Sequence, residues 1–567
     1  MPDTTQWSYV SGTSDVPLIG ETIGDCFDRV AATFPANEAL VARQQGLRYT
    51  YAQLKAEVDR CARGLLALGV AQGERVGIWS PNRAEWLITQ LATSKLGAIL
   101  VNINPAYRLH ELEYALRQSG VSTLVIAPQF RSSDYTAMIY ELAPWLRDGP
   151  GEVGDRPLPL RSVVRLGDAP TPGMHSWAEL LAGAERVPPA ALAERQALQQ
   201  FDDPINIQYT SGTTGYPKGA TLSHHNILNN GFFVARLMRF TDQDRLVIPV
   251  PLYHCFGMVM GNLGCLTHGA TMIYPSEGFD PLAVLQAVQE ERATALFGVP
   301  TMFIAELEHP EFARFDLSSL RTGVMAGSPC PVEVMKKVQS LMHMSEVEIC
   351  YGMTETSPVS FQTRADAPLD KRVSTVGQVH PHVEVKIVDP ASGRLLPRGE
   401  PGELCTRGYS VMLGYWENDE ATRAAIDRAG WMHTGDLATM DAEGYVNIVG
   451  RIKDMIIRGG ENVYPREIEE FLYTHPKVSD VQVIGVPDPK YGEEIMAWVR
   501  LKPGEHCSEE ELRAFCRDRI AHFKIPRYIK FVDSYPMTVT GKIQKFLMRR
   551  QSIEELQLES AAAIKTA

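Results

Sequence analysis

Apolar positions alternate between helical and strand spacing through the first third of the chain. After Thr50, residues Leu54, Val58, Cys61, Leu65 and Leu68 recur at steps of three and four, and Gly69 follows. This spacing predicts a helix capped by Thr50 and stopped by the glycine. Arg75–Trp79 reads as a short strand, Arg83–Leu96 as a helix, Ala98–Ile103 as a buried strand, His110–Ser119 as a helix and Val121–Ala127 as another strand. Strands separated by helices imply right-handed crossovers and a mostly parallel sheet. Residues 148–173, rich in Pro and Gly, read as a surface excursion; the α/β rhythm resumes near Ile205 and runs to about Ser360. From Gly377 to Gly450 short strands such as Val383–Val388 and Gly402–Arg407 predict a β-rich unit. Beyond Arg451 the pattern predicts a compact α+β unit. It has a helix near Arg466–Thr474, strands at Val478–Val486 and Ile495–Leu501, and a capping box of Ser508 with Glu511.

Composition narrows the class. The chain has 567 residues, 44% hydrophobic and 22% charged, with a net charge of −13. Such acidity argues against nucleic acid as a partner. Ten basic and two acidic residues between Arg513 and Arg550 leave two readings, a solvated basic face or a lobe facing a polyanion. Nine cysteines without a CxxC fit reduced thiols. The N-terminal MPDTTQWSYV lacks the features of a signal peptide, so a cytoplasmic location is expected. Leu246–Ser276 carries no charged residue and is long enough to span a bilayer. Pro249, Pro251, Gly257, Gly261 and Gly264 interrupt it, which predicts a buried core strand and helix and no transmembrane segment.

The first chemistry-bearing segment is Tyr209-Thr-Ser-Gly-Thr-Thr-Gly-Tyr-Pro-Lys-Gly219, following a predicted strand at Ile205–Tyr209. Its glycines permit close backbone approach, its hydroxyls offer donors and Lys218 adds a cation, a combination suited to phosphate oxygens. Its spacing is not that of a Walker A loop. The string resembles the phosphate-binding signature of adenylate-forming enzymes, which include acyl- and aryl-CoA synthetases, peptide-synthetase adenylation domains and beetle luciferases. Further motifs of that family follow in order: Tyr351-Gly-Met-Thr-Glu-Thr-Ser-Pro358, Gly402-Glu-Leu404, Gly414-Tyr-Trp416, Trp431-Met-His-Thr-Gly-Asp436, Gly450-Arg-Ile-Lys-Asp454, Gly459-Gly-Glu-Asn-Val-Tyr-Pro465 and Gly541-Lys542. The resemblance spans roughly residues 20 to 550. It is greatest to bacterial relatives of the acyl-CoA synthetase family member 2 group, which activates medium-chain fatty acids.

The resemblance implies a role for each motif residue. Thr210, Ser211, Gly212, Thr213, Thr214, Gly215 and Lys218 would cradle the phosphates of ATP. Gly327, Ser328 and Pro329 would face Tyr351 and Gly352 across an adenine slot. Asp436 would accept the ribose hydroxyls, helped by Arg451. A carboxylate attacking the α-phosphorus meets an anion, so charge must be neutralised. Glu355 would hold Mg2+, Thr354 would donate to the α-phosphate, and Lys542 would reach the carboxylate and bridging oxygen. Lys453 would be the hinge about which the C-terminal unit turns before coenzyme A attacks, its arm passing Gly459 and Gly460. His254, Phe256, Gly257, Val299 and Gly327 would line an acyl pocket. The pocket segments contain no Arg or Lys, and Met258, Met260 and Met302 nearby are pliable, which favours an alkyl tail.

The expected fold is α/β: a large N-terminal domain of α/β subdomains with a β-rich connector (1–450), a hinge (451–454) and a small mobile α+β domain (455–567). The expected activity is ATP-dependent formation of acyl-AMP from a medium-chain fatty acid, then transfer to coenzyme A. Small molecules are the expected partners, and a homodimer is open to the chain. An aryl-CoA ligase, a fatty acyl-AMP ligase loading a carrier protein, a luciferase-like oxygenase and a non-catalytic nucleotide-binding protein are the rival readings. Intact Glu355, Asp436 and Lys542 argue against the last.

Overall fold

A computed structural model describes residues 6–148, 158–210, 217–328, 330–458, 461–517, 519–538 and 543–559, with the side chains of 461 and 462 excepted. Two large sheets carry the N-terminal four-fifths. The first runs His175–Ser176, Ser162–Arg165, Val121–Ile126, Arg75–Trp79, Ile99–Asn102 and Pro204–Thr210, all parallel. Lys218–Ser223 and Gly414–Tyr415 then close its edge antiparallel. The second sheet has a parallel centre of Glu346–Gly352, Thr322–Ala326, Ala295–Gly298, Arg245–Val247, Thr271–Tyr274 and Glu38–Ala42. Its edges are antiparallel. The predicted helices form almost as read. Tyr51–Ala67 is capped by Thr50, whose hydroxyl accepts from the Gln53 N–H while Gln53 returns a bond to the Thr50 N–H, and Gly69 follows at φ +80°.

Tertiary pairing departs from local pattern in several places. Tyr9–Ser11 crosses the molecule to pair with Val383–Val388 and heads the five-stranded connector sheet. Gly414–Tyr415, within the stretch expected to be a separate β unit, leaves it for the first large sheet. The Pro- and Gly-rich stretch expected on the surface contributes Ser162–Arg165, whose Val163 and Val164 are fully buried beside Val121–Ile126. Residues 149–157 of that stretch lie outside the described residues. The uncharged stretch Leu246–Ser276 is core, as expected, and includes a π-helix at Phe256–Leu263. No helix among the described residues is long and apolar enough to cross a membrane.

The C-terminal part has its own sheet of Ile456–Arg458, Glu461–Val463, Val478–Asp488, Gly492–Leu501 and Tyr528–Phe531, and its own core around Val481, Val499, Ile468 and Leu472. Its basic stretch is largely neutralised by carboxylates of the same unit: Lys524 by Glu467, Arg527 by Asp488, Lys530 by Glu555, Lys545 by Glu469 and Arg549 by Glu493. That favours the solvated-face reading. Ser508 caps the Glu511 N–H at 3.1 Å, but the reciprocal half of the expected capping box is missing, because the Glu511 carboxylate takes the Lys477 ammonium at 2.7 Å.

Candidate active site

Ligand crevices of parallel sheets lie beyond the carboxyl ends of the strands, and this chain places its motifs there. Ala295–Gly298, Thr322–Ala326 and Glu346–Gly352 are adjacent and parallel. Their ends deliver Val299, then Gly327 and Ser328, then Tyr351 and Gly352. A Cβ on Gly327 would lie 3.2 Å from Val299 Cγ1, so the two predicted acyl-wall residues are neighbours. Gly327 has φ +91°, a backbone setting that disfavours any side chain. At Gly352 a Cβ would sit 1.7 Å from the Pro358 carbonyl oxygen, so only glycine fits that turn.

Two polar clusters flank this row. In the first, the Tyr351 hydroxyl donates to Asp436 Oδ2 at 2.6 Å, and Arg451 Nε lies 3.0 Å from Asp436 Oδ1. Asp436 and Arg451 face each other across neighbouring connector strands, which fixes the pair. Both carboxylate oxygens predicted to meet ribose are therefore engaged by protein groups. Burial, then the Asp436 charge, pushes the Tyr351 phenol well above its usual range. In the second cluster, Glu355 lies in the single turn Thr354–Thr356 and is 5% exposed. Its Oε1 accepts from the Tyr415 hydroxyl at 2.9 Å and the Thr210 hydroxyl at 3.3 Å. The Met412 N–H holds its main-chain carbonyl at 2.9 Å. Thr210 opposes Lys218 across the hairpin that carries the phosphate loop. The Lys218 ammonium lies 5.1 Å from the centre of the Tyr415 ring.

Tyr415 was missed as a site residue. Its motif was legible, but its contact with Glu355 arises because Gly414–Tyr415 pairs with Lys218–Ser223, a join without a sequence signal. Thr354 sits half-buried beside Glu355, and Ser328 is half-buried beyond Gly327. Ser211, Gly212, Thr213, Thr214, Gly215, Pro329, Gly459, Gly460 and Lys542 lie outside the described residues.

On the apolar side, Phe256 and Phe297 approach to 5.3 Å between ring centres, and the His254 ring lies 4.1 Å from Tyr253. Gly257 is the second residue of the π-helix. A Cβ there would come within 2.5 Å of the Pro251 carbonyl oxygen, so its glycine serves backbone packing. It does not leave open space for a tail. Lys453 is exposed in the turn Ile452–Asp454, where the two parts of the chain join. Among the described residues, the Arg466 guanidinium reaches across that join to the Cys330 carbonyl at 3.4 Å.

Glu355 beside the hairpin that carries the Gly/Ser/Thr-rich motif, Asp436 held by Tyr351 and Arg451, and Val299 and Gly327 at neighbouring strand ends bring the motif residues of a nucleotide-using enzyme together. The comparisons agree. The chain matches the AMP-binding enzyme family over residues 27–416 and the AMP-binding enzyme C-terminal domain over 467–542. It is 50% identical over 546 residues to the putative acyl-CoA synthetase YngI of Bacillus subtilis, spanning 96% of this chain and 99% of the relative. It is 46% identical to the mitochondrial medium-chain acyl-CoA ligase ACSF2 of Danio rerio, over 98% and 92% of the two chains. Among solved structures, the anthranilate CoA ligase AuaEII in complex with anthranoyl-AMP superposes with a TM-score of 0.84 at 27% identity, over 96% and 99%. ATP-bound MatB from Rhodopseudomonas palustris does so with 0.77 at 30%, over 93% and 99%. This chain belongs to the AMP-binding enzyme family. Its activity class is that of an AMP-forming acid–CoA ligase.

Proposed function

We propose that the chain joins unbranched fatty acids of intermediate length to coenzyme A in two steps, acyl-AMP with release of pyrophosphate, then thioester with release of AMP. The observation that carries this is the adjacency of Val299 and Gly327 to Tyr351 and Gly352 at neighbouring strand ends, which sets an uncharged wall beside the nucleotide motif.

In the first step Asp436, oriented by Tyr351 and Arg451, holds the ribose; these protein hydrogen bonds give way or are shared as the sugar hydroxyls arrive. Thr210, Lys218 and the hairpin residues 211–215 receive the phosphates. Glu355 fits a hard cation. Hydroxyls occupy its Oε1, and none of the described residues bonds its Oε2. Magnesium held there would neutralise phosphate oxygens. Thr354 donates to the α-phosphate, and Lys542 stabilises the negative charge as the carboxylate attacks. In the second step the unit 455–567 turns about Lys453, removing Lys542 and bringing Gly459 and Gly460 to the pantetheine arm. The domain limits 1–450, 451–454 and 455–567 belong to this reading. So does a cytoplasmic location, which nine free thiols favour.

An AMP-release assay with and without coenzyme A, over straight-chain acids, benzoate and a hydroxycinnamate, tests the substrate. Activity should peak at an intermediate alkanoate; a larger rate with either aromatic acid refutes the reading. Single-turnover assays test the two conformations. Lys542→Ala should slow adenylation by about 10²–10³-fold and leave thioester formation from acyl-AMP near normal. Lys453→Pro should do the reverse.

A further inference from the structure

Three side chains that the proposed reaction does not use converge on the connector sheet. Cys405 and His433 are directly opposed on the antiparallel strands Gly402–Gly408 and Met432–Met440, and a register shift between Glu403 and Cys405 brings Glu403 to the same point. Glu403 Oε2 lies 2.9 Å from His433 Nδ1, and Cys405 Sγ lies 3.6 Å from that nitrogen. One ligand atom from each of the three falls within 4.8 Å of the others. Metal–sulfur bonds of about 2.3 Å and metal–nitrogen bonds of about 2.0–2.1 Å, at a tetrahedral angle, place sulfur and nitrogen about 3.6 Å apart.

Further polar groups surround the three side chains. Asp427 Oδ2 stands 3.9 Å from His433 Nε2. The backbone N–H groups of Ala429 and Trp431 hold Asp427 Oδ1 at 2.8 and 2.9 Å. At 3.9 Å, Asp427 places negative charge beside the ring without hydrogen-bonding it. The second oxygen of Glu403 accepts the Gly435 N–H at 3.2 Å. Lys386, opposite Cys405 on the neighbouring strand, directs its ammonium to the Trp431 ring 4.5 Å from its centre. His433 is one-third exposed, which gives a cation a way in.

We propose that Glu403, Cys405 and His433 form a site for a borderline divalent cation of the zinc type, with its fourth position open to water. Nitrogen, thiolate and carboxylate together suit zinc or cobalt and disfavour magnesium. On binding, the Cys405 S–H bond breaks, a sulfur–metal bond forms and the proton passes to solvent. Gly435, tied to Glu403, precedes Asp436, so an occupied site would brace the strand that presents the ribose carboxylate. The group His475, Cys507 and Glu511 is a poorer candidate, because the Lys477 ammonium already sits on Glu511 at 2.7 Å.

Cobalt added to the metal-free full-length protein, without nucleotide, tests this. One equivalent should bind with a thiolate-to-cobalt charge-transfer band in the near ultraviolet and release about one proton at neutral pH. Cys405→Ser should abolish the band, Glu403→Gln should weaken cobalt binding at least about tenfold, and Cys507→Ser should leave the band unchanged. If Cys405→Ser does not fold, His433→Gln serves in its place. Absence of the band in the wild type, or its survival in a folded Cys405→Ser or His433→Gln protein, overturns the proposal.

Discussion

The groups proposed for the nucleotide and those proposed for the acyl chain gather around the same strand ends but are built by opposite means. On the nucleotide side, named polar atoms meet at hydrogen-bond distance: Tyr351 on Asp436, and Tyr415 and Thr210 on Glu355. On the proposed acyl side the determinants are volume and backbone fit: Gly327 against Val299, Phe256 against Phe297, and a π-helix whose second residue, Gly257, is pressed on Pro251. Polar geometry requires particular residue types, so it leaves motifs. Apolar volume can be filled in many ways, so it does not.

The comparison predicts a graded response to mutation. The largest effect should come from Glu355→Gln, which keeps shape but removes the anionic ligand. Adenylation should fall at least about 10²-fold and magnesium dependence should weaken, as a pyrophosphate-release assay over a magnesium titration would show. A variant within threefold of wild type would remove Glu355 from the cation site. Asp436→Asn should come next, raising the KM for ATP about 10–100-fold with a smaller change in kcat, because charge-assisted contacts to the nucleotide are lost. An unchanged KM for ATP would count against the ribose assignment.

On the acyl side, Val299→Phe adds bulk beside Gly327 without forcing a side chain onto a residue at φ +91°. The preferred chain should shorten, with about a tenfold loss on the longest acids and little on the shortest. A uniform loss across chain lengths would place Val299 outside the acyl wall. A smaller effect is expected from Tyr415→Phe. Glu355 loses one bond but keeps Thr210, so adenylation should fall only about three- to tenfold, with the change in the magnesium requirement and not in chain-length preference.

The nucleotide side also carries a cost, visible in stability. Glu348, on the strand that carries Tyr351, is fully buried and accepts from Gln362 through Oε2 at 2.6 Å. Burial pushes its carboxyl from 4.5 up to about 8. The folded state then holds this proton more tightly than the unfolded state, so its contribution to stability declines as pH rises from about 4.5 to 8. Glu348→Gln should flatten that decline and stabilise the protein at pH 8 by about 1–3 kcal/mol. Denaturant melts at pH 6 and 8 measure both; equal slopes in the two proteins would assign the decline elsewhere.

Much of this architecture was legible before any coordinates. Thr50, Gln53 and Gly69 mark one helix, and continuous apolar runs such as Val121–Ile126 mark buried parallel strands, because caps and periodicity act within a few residues. The Gly/Ser/Thr-rich hairpin motif, Glu355 and Asp436 stand out in the sequence through their resemblance to the ordered motifs of the family, whose polar residues recur at fixed spacing. Three things were decided only in the folded chain. Tyr9–Ser11 found its partner 375 residues away. Gly414–Tyr415 left its neighbours to set a phenol on Glu355. Glu403, Cys405 and His433 met across a shifted register. Each depends on which strands lie side by side. That choice is made by burial summed over whole sheets, and no short stretch of sequence carries enough of that energy to announce it.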